Sequence, residues 1–250
     1  MAVRELLILW DVDHTLVNAG GLSMHLYGVV FGELFGRELE AVAPMAGRTD
    51  RAIILDTLTM AGVPDPGAHV AAFIAGLTRE APAFGERVRR RGYVLPGAAE
   101  ALAAVAAQRN GHDRAMARQS VLTGNIRPLA EVKLGALGLH DHLDLDIGAY
   151  GDTHEVRAEL VPVARQRAAA ATGTDFGGES TVLVGDTPLD VAAALATGAR
   201  AVGVATGDYP GADLAAAGAH AVLPDLSDTA RVLAAVTGRS HAAGAEGAAD

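Results

Sequence analysis

The fold of this chain is decided by the stretch L-L-I-L-W-D-V-D-H-T-L-V, residues 6–17. Its five leading apolar residues predict a short buried strand that ends at Asp11. A second carboxylate, Asp13, follows two positions later, and His14 stands directly behind it. Because an apolar strand has little structural need of two acids at its end, the pair predicts a functional site there.

The composition narrows the class of protein. The chain has 250 residues and is 50% apolar, which suits one large domain or a core domain with a smaller inserted one. It contains no cysteine, which excludes disulfides and thiolate zinc sites. Its formal net charge of −10 argues against nucleic-acid binding. We expect a cytoplasmic protein with no membrane segment, because no apolar run reaches the roughly 20 residues of a span.

The pattern of apolar residues divides the chain in two. Residues 19–91 show helical spacing without a strand signal, with helix starts expected at Thr49 and at Asp65-Pro66. After Pro96-Gly97, helices alternate with short apolar strands, including one at 143–150, and this alternation implies parallel pairing. The predicted fold is α/β: a Rossmann-like parallel sheet with helices on both faces and an inserted helical cap. The expected domains are a core (1–18 and 92–238), a cap (19–91) and a disordered tail (239–250).

Three predicted strands end in polar residues. They run into Asp11, into Thr123-Gly124-Asn125 and into Gly185-Asp186, with Asp190 just beyond. Ligands of open parallel sheets bind at the carboxyl ends of the strands, so these groups should share one edge. Crowded carboxylates repel one another, and a set of oxygen ligands without thiolates favours Mg²⁺.

These residues give the chain its resemblance to a known family. Asp11, Asp13 and Thr15 fit Asp-x-Asp-x-Thr, Thr123 fits a Ser or Thr that closes a strand, and G-D-T-P-L-D fits Gly-Asp-x-x-x-Asp. In this order the motifs resemble the haloacid dehalogenase superfamily, in particular its phosphatases with a helical cap of the phosphoglycolate phosphatase type. The likeness covers nearly the whole chain except the tail.

The resemblance implies a role for each motif residue. Asp11 is expected to attack phosphorus, and Asp13 to serve as general acid and then base. Thr123 is expected to donate a hydrogen bond to the phosphoryl group. The expected Mg²⁺ ligands are Asp11, Asp186 and the carbonyl of Asp13, with Asp190 orienting them or joining them.

The resemblance also implies a lysine or arginine beside the phosphoryl group, and two residues compete for this role. Arg157 starts the helix after the predicted third core strand. Lys133, the only lysine in the chain, lies mid-helix. At 1.5 Å per residue, the helix should carry Lys133 about 12 Å from the strand end. We therefore favour Arg157.

Further residues are expected to contact the substrate. Arg48, next to the helix start at Thr49, suits a substrate carboxylate or phosphate, although a capping turn is an equal alternative. Thr15, Gly124 and Asn125 are expected to line the same cleft. His14 is either a tolerated turn residue, since histidine accepts positive φ better than most, or borders the cleft.

The function expected from this resemblance is hydrolysis of a small phosphomonoester, phosphoglycolate-like or a sugar phosphate, by a monomer or homodimer. A phosphomutase of the β-phosphoglucomutase type is the nearest alternative, because it uses the same two aspartates. A catalytically silent binding protein is the alternative from another class.

Overall fold

The computed structural model describes residues 5–110 and 112–238. Within these ranges the chain forms eight strands: β1 (Leu6–Trp10), β2 (Val17–Asn18), β3 (Tyr93–Val94), β4 (Ala117–Thr123), β5 (Ala149–Tyr150), β6 (Thr181–Gly185), β7 (Arg200–Val204) and β8 (Ala221–Leu223). It also forms nine α-helices: α1 (Leu22–Phe35), α2 (Asp50–Met60), α3 (Pro66–Arg91), α4 (Ala98–Ala106), α5 (Arg127–Ala136), α6 (Leu160–Thr172), α7 (Pro188–Ala196), α8 (Gly211–Ala216) and α9 (Thr229–Thr237).

Six of the strands make one parallel sheet in the order β5-β4-β1-β6-β7-β8. The first strand therefore lies inside the sheet, with β4 on one side and β6 on the other. The chain winds outward from β1 in both directions, so the strand order reverses there. In open α/β sheets this reversal opens a crevice at the carboxyl ends of the strands.

Both faces of the sheet are covered. Ile8 and Trp10 of β1 pack into one apolar cluster with residues of α4 and α9, whereas Leu7 and Leu9 pack into another with residues of α6, α7 and α8. This alternation follows from the period of two along a strand. The predicted α/β fold, with a Rossmann-like parallel sheet between helices, is confirmed.

The helices α1, α2 and α3 form a separate apolar cluster. Tyr27 and Phe73 pack in its centre, with ring centroids 5.3 Å apart. Ile126 and Leu129, from the start of α5, belong to the same cluster. The two chain segments that lead into and out of this helical unit run side by side, because β2 and β3 pair antiparallel. The domain limits at residues 18/19 and 91/92 stay a prediction.

One local prediction is wrong. The strand expected at 143–150 shrinks to Ala149–Tyr150, because the side chain of Asp144 accepts from the N–H of Asp146 (3.2 Å) and makes a turn instead. The helix start expected at Asp65-Pro66 is confirmed, since α3 begins at Pro66. The φ of Asp65 is 46°, which is left-handed, and its side chain caps no N–H. The tail at 239–250 lies outside the described residues. Among those that are described, no helix is long and apolar enough to cross a membrane.

Candidate active site

The candidate site lies at the carboxyl ends of three neighbouring strands. β1 runs into Asp11, β4 ends at Thr123, and β6 runs into Asp186. The N–H of Asp11 donates to the carbonyl of Val184 (2.8 Å), so the pairing of β1 with β6 continues up to this acid. All three polar residues line one cavity of about 510 Å³, whose other wall comes from residues 18–53.

Arg157 holds the carboxylate of Asp11 in place. It lies in a 3₁₀ turn, Arg157–Glu159, that leads from β5 towards α6. Its Nη2 is 2.8 Å from Oδ1 of Asp11 and 2.6 Å from Oδ1 of Asp190, and it also donates to the carbonyl of Leu122 (3.2 Å). Burial raises the pKa of Asp11 to about 6; Arg157 opposes this rise, and Asp190 adds to it by repulsion.

Asp11, Asp186 and Asp190 form a buried acidic cluster whose carboxylate oxygens lie within 4.8 Å of one another. Burial, with repulsion from Asp11 and Asp190, raises the pKa of Asp186 to about 9. Three carboxylates beside one arginine keep an excess of negative charge when all are ionised. A divalent cation would neutralise this excess, and oxygen ligands suit Mg²⁺, so the donor set fits that ion.

The two oxygens of Asp190 are already engaged. Oδ2 accepts from the N–H (3.1 Å) and from Oγ1 (2.7 Å) of Thr187, which completes a capping box at the start of α7. Oδ1 faces Arg157. This geometry favours Asp190 as a residue that orients its neighbours. That Asp11, Asp186 and the carbonyl of Asp13 hold Mg²⁺ stays a prediction.

Asp13 belongs to a second network. Nζ of Lys133 lies 2.9 and 2.6 Å from its two carboxylate oxygens and 2.7 Å from Oδ1 of Asn125. Nδ2 of Asn125 donates to Asp13 (2.7 Å) and to Oγ1 of Thr123 (2.8 Å). Burial alone would raise the pKa of Asp13, but Lys133 and Asn125 lower it overall. The network therefore stabilises Asp13 as a carboxylate beside the cavity.

The expectation that Lys133 lies far from the site is wrong. The expected distance of about 12 Å took into account only how far α5 rises from the end of β4. Asp13 lies on a different loop, the one after β1, and the side chain of Lys133 reaches it. Lys133 is only 1% exposed. Both cations therefore lie at the site, Arg157 on Asp11 and Lys133 on Asp13, and Arg157 as the third-motif cation stays a prediction.

His14 and Thr15 differ in what they can contact. His14 has a φ of 58°, lines the cavity, and accepts at its carbonyl from Oγ1 of Thr206 (2.5 Å). Thr15 is fully buried, does not line the cavity, and lies 3.5 Å from Oδ1 of Asp186. Its geometry suits support of Asp186 better than contact with a substrate.

Arg48 lines the cavity, but its charge is paired. Its Nη2 lies 2.5 Å from Oδ2 of Asp56, and its Nη1 donates to the carbonyl of Pro44 (3.1 Å). The helix start expected at Thr49 is confirmed, since Thr49 accepts from the N–H of Ala52 (3.2 Å). The backbone of the loop that carries Arg48 also explains why position 124 is a glycine: a Cβ there would overlap the carbonyl oxygen of Arg48.

A family model described as haloacid dehalogenase-like hydrolase matches residues 8–195, which is most of the chain. The chain belongs to this family. No curated protein matches the sequence significantly.

Solved structures share the fold of this haloacid dehalogenase-like hydrolase. A predicted phosphatase from Clostridium acetobutylicum superposes with a TM-score of 0.63 at 16% identity, covering 92% of this chain and 99% of the other. A hydrolase from Pseudomonas syringae superposes with a TM-score of 0.59 at 23% identity, covering 92% of this chain and 98% of the other. A chain from Thermotoga maritima, described provisionally as a β-phosphoglucomutase, superposes with a TM-score of 0.56 at 19% identity. The match covers 91% of this chain and 98% of the other. At these identities the likeness shows the fold alone.

Sequence reasoning about this family member missed two contacts. The buried residues of α5 include Leu129, Lys133 and Leu134, so a lone lysine occupies the apolar face of a helix. That position signals a buried partner, because an unpaired buried ammonium is costly. By contrast, no local pattern marks the pairing of Tyr27 with Asp50 (2.6 Å), which joins two helices.

Proposed function

We propose that this haloacid dehalogenase-like hydrolase is a magnesium-dependent phosphatase that hydrolyses a small phosphomonoester through an aspartyl-phosphate on Asp11. One observation carries the proposal. Asp11 is fixed by Arg157 at the end of β1, and Asp13 faces the same cavity two residues away. This pairs a candidate nucleophile with a candidate acid–base group.

In the proposed reaction, an oxygen of Asp11 attacks phosphorus and the bond to the leaving alcohol breaks. Asp13, a carboxylate in the free site, takes up the proton of the monoanionic ester and passes it to the departing oxygen, and in the second step it takes a proton from the water that cleaves the acyl phosphate. We expect Thr123 and Arg157 to contact phosphoryl oxygens. Bound Mg²⁺ would reduce the repulsion between the anionic ester and Asp11 and stabilise developing charge.

The two alternatives predict different products. A phosphomutase would return the phosphoryl group to a sugar and release little phosphate. A silent binding protein would show no turnover, although the described site retains Asp11, Asp13, Thr123 and Asp186. Phosphate release with and without a bisphosphorylated sugar distinguishes all three.

The direct test measures phosphate release from a panel of small phosphoesters with Mg²⁺ or with EDTA. We expect turnover only with Mg²⁺, and a loss of at least about a thousandfold in Asp11→Asn. Asp65→Asn, which changes an acid outside the cavity lining, is the matched control and should keep wild-type activity. Metal-independent turnover, or substantial activity in Asp11→Asn, would contradict the proposal.

A further inference from the structure

The part of the cavity beyond the catalytic acids is mainly apolar. Its wall includes Leu26, Val42, Pro44, Met45 and Ile53, all from the helical unit that faces the sheet. A leaving group attached to a phosphate on Asp11 must occupy this region. Such a wall favours the apolar part of a leaving group, and it cannot replace the hydration that a charged group would lose on entering.

The positive charges that line the cavity are already neutralised. Among the described residues, the arginines of the lining are Arg48 and Arg157, and lysine is absent from it. Arg157 is bound by Asp11 and Asp190. Arg48 is bound by Asp56 (2.5 Å) and by the Pro44 carbonyl, so neither arginine is free for an anion on the leaving group.

Two further acids line the cavity. Asp50 accepts from the Tyr27 hydroxyl (2.6 Å) and from the N–H of Ile126 (2.7 Å), so each of its carboxylate oxygens accepts one hydrogen bond. Asp208 also lines the cavity, is exposed, and has no ion-pair partner within the described part of the chain. An anionic leaving group would thus enter an apolar pocket beside like charge, without a free counter-ion.

Given the proposed phosphatase function, on which this inference rests, we infer that the leaving group is an uncharged alcohol with an apolar carbon body. Esters whose leaving group carries a carboxylate or a second phosphate are rejected. The cavity of about 510 Å³ is large enough for a phosphate and a small alcohol together. The Arg48–Asp56 pair is the specific cause, because it removes the cation that an anionic group would need.

Matched esters test the class of substrate. Ethyl phosphate against 2-phosphoglycolate, and 4-methylphenyl against 4-carboxyphenyl phosphate, each exchange a methyl for a carboxylate. We expect kcat/KM to favour the methyl ester by about tenfold or more in both pairs. Equal values, or faster hydrolysis of the carboxylated esters, would overturn the inference and leave the phosphatase assignment standing. Hydrolysis of none of the four with Mg²⁺ would instead count against the proposed function.

Asp56→Ala tests the cause, since it frees Arg48 and lies on the exposed face of α2 (its side chain is 54% exposed). We expect kcat/KM for the carboxylated esters to rise about threefold or more, with the methyl esters unchanged. Glu155→Ala is the matched control: it frees Arg51, which forms a similar exposed pair but does not line the cavity, and should leave the ratio unaltered. An unchanged ratio in Asp56→Ala, or an equal rise in Glu155→Ala, would refute the role of this pair.

Discussion

Lys133 shows how one side chain can connect two distant parts of the site. It is buried in α5, yet its ammonium reaches Asp13, which is 120 positions away in the sequence. It also contacts Asn125, which in turn donates to Thr123. Lys133 therefore aligns the proposed acid–base residue with Thr123 at the end of β4, the residue proposed to contact the phosphoryl group.

Replacing Lys133 with Met keeps much of its length and removes its charge. We expect kcat to fall by at least about tenfold, because Asp13 loses the two contacts with Nζ of Lys133 that align its carboxylate beside the cavity. Lys133→Arg should recover part of the loss. Arg127→Met is the control on the same helix, since Arg127 pairs only with the exposed acids Glu131 and Asp146 in the described contacts. If kcat of Lys133→Met stayed within twofold of wild type, the contact of Lys133 with Asp13 would have only a structural role.

At the scale of elements, the start of α2 docks the helical unit onto the sheet. The N–H of Asp50 donates to the carbonyl of Gly124 (2.6 Å), and that of Arg51 to the carbonyl of Gly151 (3.0 Å). The first N–H groups of a helix have no partner inside it, so the loops after β4 and β5 satisfy them. The carboxylate of Asp50 joins the same contact through Ile126 and Tyr27.

Tyr27→Phe removes one hydroxyl from this contact. Asp50 would then keep a buried oxygen without its donor, so we expect the free energy of unfolding to fall by about 1–3 kcal/mol. Urea denaturation with a linear extrapolation measures the change. Tyr93→Phe makes the same chemical change at a side chain that is 53% exposed, and should stay within about 0.5 kcal/mol of wild type. Equal effects in both variants would contradict this account of α2.

Folding the whole molecule brings three buried acids, Asp11, Asp186 and Asp190, together at the edge of the sheet. Burial raises the pKa of Asp11 to about 6 and of Asp186 to about 9, from an ordinary value of 3.8. An acid whose pKa is raised by folding binds more protons in the folded state. The metal-free protein should therefore lose stability as the pH rises from about 4 towards 9.

At the proposed site Mg²⁺ would bind the ionised carboxylates and displace their protons, so it should reverse this trend. We expect the rise in Tm on adding Mg²⁺ to be larger at pH 8 than at pH 5.5, by about 2 °C or more. Thermal unfolding at matched ionic strength measures it, with NaCl replacing MgCl₂ as the control. An equal shift at both pH values, or the same shift in Asp186→Asn, would show that the ion binds elsewhere.

The sequence alone determined the sheet and most of the acids at its edge. Apolar runs that end at Asp11, Thr123 and Asp186 are local patterns, and parallel topology brings their ends together. The helix start predicted at Thr49 also follows from a local pattern, because the N-cap bond joins residues only three positions apart. Such features follow from short-range physics, namely periodicity, capping and the direction of strands.

Only the tertiary structure decided which cation meets which acid. The contact of Lys133 with Asp13 depends on how α5 lies beside the loop after β1. The pairing of Arg48 with Asp56 depends on the path of one loop against α2. Spacing along the chain does not encode these contacts, because a long flexible side chain can reach several partners and packing selects one. The strand ends predict the chemistry proposed for the site, whereas the leaving group that we infer rests on the packing of the cavity.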